Sequence, residues 1–138
     1  MVQADEFGDP RSFIRRQQQR FFRAGSYSPQ DMASQIAAEA VLAGARDVHV
    51  SVGDEWIVIQ ADIDWLAGVE GDPFSSLTIF PPGGPGDSTR EILAVTFSRG
   101  VVTASKSGVR VIKGDMAGPV KMAPARGRVL AFMVDCTY

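Results

Sequence analysis

The sequence has few of the residues that most catalytic and metal sites use. Its 138 residues include one cysteine and one histidine. An internal disulfide, a zinc site and a Ser-His-Asp triad therefore all lack parts, and we expect no metal site. On the predicted strand over 48–52, His49 lies on the face that does not carry the valines. An exposed histidine is the ordinary interpretation, and a metal ligand or general base is the alternative. Cys136 is interpreted as a small apolar strand residue rather than a reactive thiol.

Charge of one sign is not in excess, and long apolar runs are missing. Fourteen basic and sixteen acidic residues give a formal net charge of -2. That balance argues against nucleic-acid binding. No run of about 18 apolar residues occurs, and the N-terminus is acidic and polar, so we expect neither a membrane span nor a signal peptide. With a single cysteine, the sequence predicts a cytoplasmic protein with one core.

Residues 1–27 predict a helical arm that precedes a domain over residues 28–138. Asp9-Pro10 is typical of a helix start and Gly25 of a helix stop, which predicts a helix over 10–24. Its large apolar residues are Phe13, Ile14, Phe21 and Phe22, and its basic ones Arg11, Arg15, Arg16, Arg20 and Arg23. Such an apolar stripe is costly to leave in water. We therefore predict that the arm docks on a protein partner or forms a dimer, with packing inside its own chain as the alternative.

The first part of the domain has the pattern of a helix followed by a hairpin. Ser28-Pro29, with an acidic residue shortly after, begins a helix that ends at Gly44. Alternating valines over 48–52 and the apolar run over 56–59 predict two antiparallel strands, joined by a two-residue turn at Gly53-Asp54.

The second part continues with a loop, a helix, a second hairpin and a last strand. A loop rich in proline and glycine over 81–86 leads to Ser88 and Glu91, which form a capping box for a helix through Phe97. The whole order predicts an α/β fold of the α+β two-layer type, a mostly antiparallel sheet with helices on one face. Predicted sheet residues are Val48, Val50, Val52, Ile57, Ile59, Val101, Val109, Val111 and Val129, covered by Ile36, Ala40, Leu93 and Phe97.

Two short motifs have the composition of ligand sites. The glycine-rich loop before a helix could hold an anion on its backbone N–H groups, but the lysine of a P-loop is absent after Gly86. A surface loop is the alternative. Asp62-Ile63-Asp64 has paired carboxylates that could hold a divalent cation in an extended segment, whereas a solvated strand end is the ordinary interpretation.

The segment from Gln35 to Val50, followed by Ile57 to Asp62, resembles the first half of a Bergerat-fold (GHKL) ATPase domain. This family includes gyrase and mismatch-repair ATPases, heat-shock chaperones and histidine kinases. Its opening helix carries E-x-x-x-N-x-x-D-A-G-A, and its hairpin ends in D-x-G-x-G. Ala43-Gly44-Ala45 and Asp62 match those motifs. Further on, residues 90–98 resemble the family's next helix, and residues 127–132 its closing G-T-x-V strand.

The resemblance implies a Bergerat-like domain with a nucleotide cleft, for which ATP or ADP with Mg²⁺ is the family cofactor. The corresponding cofactor-binding positions are Gln35, Glu39, Asp62, Gly83, Gly84, Gly86 and Ser88. Gln35 stands where the family has its general base, and a carboxamide accepts no proton at neutral pH. Asp64 and Leu66 replace the two glycines after Asp62, and Arg128 replaces the closing threonine. We therefore expect no hydrolysis by the family mechanism.

These departures favour a non-hydrolysing, degenerate ATPase that acts as a protein-interaction or regulatory module. Two alternatives stay open. One is an enzyme of unrelated chemistry, for which Glu39 and Asp64 are the catalytic candidates and Asp62 an additional acid. The other is a domain that still binds nucleotide, as an ATPase or kinase does. Fold resemblance alone does not decide among them.

Overall fold

The computed structural model describes residues 10–67, 74, 91–114 and 118–134. The glycine-rich loop, Ser88 and Cys136 lie outside this part of the chain. The elements are α1 (Pro10–Arg16), a 3-10 helix (Gln18–Arg20), α2 (Pro29–Leu42), β1 (Val48–Val52), β2 (Trp56–Ala61), α3 (Glu91–Phe97), β3 (Val101–Ser105), β4 (Gly108–Lys113) and β5 (Arg128–Met133).

The five strands form one sheet in the order β1-β2-β5-β3-β4. Every neighbouring pair is antiparallel. The last strand, β5, is inserted between β2 and β3, so the two hairpins are joined through it. This confirms the predicted α+β fold with an antiparallel sheet, and each residue predicted to lie in the sheet does so.

The helices cover one face of this sheet. Along β2 and β5, the large apolar side chains on that face are Ile57, Ile59, Leu130 and Phe132, and all four are buried. Helix α2 packs on β1 and β2, while α1 packs against α3. The residues predicted to cover the sheet, Ile36, Ala40, Leu93 and Phe97, are buried in the same cluster. No helix in the described ranges is long and apolar enough to cross a membrane.

A second, smaller apolar cluster lies on the other face, which the sequence did not predict to be covered. Val102, Ala104 and Ala131 are buried there together with Val120, which belongs to the connection between β4 and β5. Gly118 lies so close to Trp56 that an added Cβ would stand 2.5 Å from the indole ring. The connection therefore crosses the sheet face and shields its central strands from water.

Local hydrogen bonds confirm the predicted start of α2. They place the turn of the β1–β2 hairpin one residue later than predicted. The Ser28 hydroxyl oxygen accepts from the Asp31 N–H at 3.2 Å. At the other end, Ala45 N–H donates to Ala40 C=O at 3.0 Å, as in a Schellman cap. The hairpin is closed by a bond from Gly53 N–H to Trp56 C=O. Its turn residues are therefore 54 and 55 rather than Gly53-Asp54.

The arm differs from the single helix that its sequence predicts. Helix α1 ends at Arg16, and a 3-10 turn follows. Phe13, Ile14 and Phe22 are buried within the chain itself, and the Phe22 ring makes an edge contact with Phe97 at 5.3 Å between centroids. The alternative of packing inside its own chain therefore accounts for the apolar stripe, and a second copy is not needed to shelter it.

Gly127, the residue before β5, has a backbone conformation that only glycine adopts readily. Its φ is +76°, and an added Cβ would overlap the carbonyl oxygen of Ala61. We expect Gly127→Ala to cost about 1 to 2 kcal/mol through its left-handed backbone and about 1 to 3 kcal/mol more through the overlap. Urea unfolding measures the sum. Gly25→Ala is the control, because Gly25 has φ +87° and open space around it. It should show only the backbone cost. An equal loss of stability in the two variants would show that the overlap with Ala61 contributes little.

Candidate functional site

The candidate site lies where β2 ends, because Asp62 and Asp64 follow that strand directly. In the register between β2 and β5, Ala61 is opposite Arg128. The insertion of β5 beside β2 thus brings the start of the closing strand to the two acids. Two segments that the Bergerat resemblance places in one site are adjacent here.

Asp62 is held by the loop between α2 and β1. Its Oδ1 accepts hydrogen bonds from the N–H groups of Arg46 at 3.1 Å and Asp47 at 3.3 Å. In turn, Asp62 N–H donates to Asp47 C=O at 3.1 Å. Donation by the Asp47 N–H, together with that of Arg46, holds the pKa of the Asp62 carboxyl below its usual value despite some desolvation. Asp62 therefore fastens the hairpin to the end of α2.

Asp64 is held by a side chain of β5. Its Oδ1 accepts from Arg128 Nε at 2.5 Å, and its Oδ2 from Arg128 Nη2 at 3.2 Å. The same Arg128 donates through Nη1 to Thr103 Oγ1 at 2.8 Å. Arg128 and Asp64 side chains are only 15% and 29% exposed, which makes this bidentate pair stronger than a surface ion pair. It joins β2, β3 and β5.

Gln35, which aligns with the family base, binds the arm. Its Nε2 donates to Phe21 C=O at 2.6 Å. The donor is essential to this contact, because a carboxylate at the same place has no proton to give at neutral pH. Gln35 therefore has a structural role in this chain.

Of the remaining candidates, Glu39 is half-buried on α2. Gly83, Gly84, Gly86 and Ser88 are outside the described residues, so the proposed glycine-loop site has no geometry to report. Among the acids, the structure brings together Asp62 and Asp64. Their oxygens accept hydrogen bonds from the protein, and no group of three or more potential metal ligands occurs in the described ranges.

One buried acid in this region makes a contact that the sequence did not predict. Glu91 is fully buried, and its Oε2 accepts from Trp65 Nε1 at 3.2 Å. Its Oε1 is buried and has no hydrogen-bond partner among the described residues. The capping box with Ser88 stays a prediction, because Ser88 lies outside the described part of the chain. The two residues are 26 positions apart, and no local pattern marks such a pair. A buried tryptophan N–H needs an acceptor, which is the only signal that could have pointed to it.

Comparison of the chain with protein-family models, with curated proteins and with solved structures finds no significant match. The geometry of the chain itself is therefore what bears on its function.

The Gln35 contact can be tested by replacing the carboxamide with a carboxylate. Gln35→Glu places a carboxylate against Phe21 C=O, with repulsion in place of a hydrogen bond, and we expect it to lower the free energy of unfolding by about 1 to 3 kcal/mol. Gln30→Glu, an exposed change in the first turn of the same helix, should be neutral or slightly stabilising. Urea titrations at neutral pH measure both. A neutral Gln35→Glu would show that the bond to the arm contributes little.

The lowered pKa of Asp62 predicts an acid-dependent loss of stability. Because the folded-state pKa lies below the unfolded value of about 3.9, the stabilisation is present above that value and is lost as pH falls through the folded pKa. Thermal unfolding from pH 6 to pH 3 should show a gap between the wild type and Asp62→Asn that narrows as the pH falls. Asp54→Asn, in the exposed hairpin turn, is the control. A gap that is constant with pH would contradict the contribution of the Asp62 charge.

Proposed function

We propose that this chain is a degenerate Bergerat-like domain that does not hydrolyse nucleotide and acts as a protein-interaction or regulatory module. The observation that carries the proposal is that residues at the family's cleft positions make structural contacts in this chain. Gln35 holds the arm, Asp62 holds the loop after α2, and Asp64 holds Arg128. Two positions that would serve a nucleotide in the family, Gln35 and Asp62, serve the fold here, and so does Asp64, which stands where the family has a glycine.

The arrangement of elements supports the family part of this proposal. Helix α2 precedes the hairpin of β1 and β2, and α3 precedes the later strands, in the order that the resemblance implies. Gly127, from the closing motif, packs directly against the backbone of Ala61 and Asp62. The two motifs therefore share one location, although the groups that would act on ATP differ.

Asp62 and Asp64 already accept hydrogen bonds from the protein, which weighs against the alternative of an enzyme of unrelated chemistry. A catalytic carboxylate needs access to the substrate and a pKa suited to proton transfer. Asp62 has its pKa lowered by backbone donors, and Asp64 is clamped by the Arg128 guanidinium. Glu39 is the one remaining candidate of that hypothesis.

The arm supplies the surface that we propose for a protein partner. Its apolar side is buried in the core, while Arg16, Arg20 and Arg23 are exposed. Arg20 stacks over the Phe13 ring at 5.8 Å, so its position is defined by packing. A basic face of this kind suits an acidic protein surface. Weaker partner binding at higher salt is a consequence of that match.

Turnover and binding of ATP test the proposal in one set of variants. We expect no phosphate release from ATP with Mg²⁺ by the wild type or by Glu39→Ala, because the base position carries a carboxamide that binds the arm. We expect none from Gln35→Glu either, because Asp64 and Leu66 still replace the two glycines that follow the aspartate in the family. Thermal unfolding with saturating ATP and Mg²⁺ should leave Tm unchanged. A ligand at about 100 times its Kd would add about 2.7 kcal/mol.

Two outcomes would redirect the proposal. A nucleotide-dependent rise in Tm without turnover would support the alternative of a nucleotide-binding module. Turnover that Glu39→Ala abolishes, while Gln30→Ala does not, would make Glu39 the base and show the alignment to be wrong.

A further inference from the structure

Among the described residues, the outer edge of β1 is the least protected edge of the sheet. Strand β1 lies at one end of the strand order and β4 at the other. The β1 sequence Val48-His-Val-Ser-Val52 contains no lysine, arginine, acid or proline, the devices that usually prevent edge pairing. By contrast, β4 carries Arg110 and Lys113 and pairs with β3 through an irregular register beside Val101.

The register shows which backbone groups of β1 point outward. Asp62 N–H bonds to Asp47 C=O, and Gly53 N–H bonds to Trp56 C=O. Hydrogen-bonded and non-bonded pairs alternate along an antiparallel ladder, so the odd-numbered residues of β1 bond to β2. The N–H and C=O groups of Val48, Val50 and Val52 therefore face away from β2.

The same valines leave apolar surface in water. Val50 is 43% exposed and Val52 63% exposed, although they lie on the helix-covered face, opposite Ile59 and Ile57. Helix α2, which packs on β1 and β2, also exposes Val41 and Leu42. Four of the exposed large apolar side chains thus belong to β1 and the helix that covers it.

From these features we infer that β1 pairs with β1 of a second copy of the chain, antiparallel and across a two-fold axis at Val50. The pattern of β1 is its own complement in that register. Val48 faces Val52 of the second copy, Val50 faces Val50, and His49 faces Ser51 on the other side of the sheet. About six backbone hydrogen bonds form, and no like charges meet. The strand of an unrelated protein would not match the side-chain pattern of β1 in this way, which favours a second copy as the partner.

The proposed dimer has a continuous antiparallel sheet with both helix layers on one face. A two-fold axis perpendicular to the sheet keeps the two copies of α2 on the same side, flanking the new strand pair. The inference does not depend on the nucleotide chemistry of the domain, nor on the arm. It would hold whether or not ATP binds.

Charge placed at the axis tests the pairing. The mass of the full chain is 14.8 kDa, and we expect light scattering across a concentration series to show its doubling. Val50→Lys puts two ammonium groups opposite each other and should raise the dissociation constant of the dimer about 10-fold or more. Val111→Lys is the matched control, since Val111 is 42% exposed on the opposite edge strand, and it should leave the dimer intact.

Opposite charges at position 50 of the two copies test the register of the β1–β1 pair. Val50→Glu alone should weaken the dimer to a similar extent, and a mixture of Val50→Lys with Val50→Glu should restore the doubled mass, because the two residues meet only when Val50 faces Val50. Failure of the mixture to associate, or a Val50→Lys variant that dissociates no more readily than the wild type, would overturn the inference.

Hydrogen exchange of the wild type keeps the inference testable if these variants do not fold. The amides of Val48, Val50 and Val52 should be protected at high protein concentration and lose that protection on dilution, while those of His49 and Ser51 stay protected by β2. A monomer at millimolar concentration overturns the second copy as occupant. Protection that is independent of concentration would assign the edge to another segment of the chain, with the same consequence.

Discussion

The end of β2 is the point on which the rest of the fold depends. Within three residues, Asp62 fixes the loop that leads from α2 to β1, and Asp64 fixes Arg128 at the start of β5. Through Arg128, the same point reaches Thr103 in β3. Partly buried carboxylates need such donors, because an unpaired charge in this setting is costly. The arrangement therefore orders the α2–β1 loop and three strands at once.

This constraint also limits the chemistry of the domain. A carboxylate that accepts hydrogen bonds from two backbone amides, as Asp62 does, has its charged form favoured, and one held by an arginine fork, as Asp64 is, keeps its orientation. Asp62, whose pKa is lowered, is therefore suited to stabilising the fold rather than to transferring protons. Gln35 follows the same logic, because its amide donates to the arm. The described contacts of Gln35, Asp62 and Asp64 are thus hydrogen bonds and an ion pair that hold the fold together.

Packing is distributed unevenly over the sheet. The helix-covered face holds the larger cluster, which also includes Ile14 and Phe22 of the arm. The connection between β4 and β5 covers the centre of the other face through Val120. The helices and the β4–β5 connection leave the edge strands partly uncovered, so Val50 and Val52 of β1 are exposed although they lie on the helix side. A helix layer narrower than its sheet produces this distribution, and the outermost strand is where a further chain would add most.

The sequence by itself determined the class of fold, the two hairpins, the start of α2 at Ser28 and the membership of one antiparallel sheet. These follow from periodicity and from hydrogen bonds between residues close in the chain. Tertiary structure decided which acids are engaged, where the arm lies and which valines remain in water. The contact of Asp64 with Arg128 spans 64 positions, and it exists because β5 is inserted between β2 and β3. Strand order is set by the packing of the whole chain, and local periodicity carries no record of it.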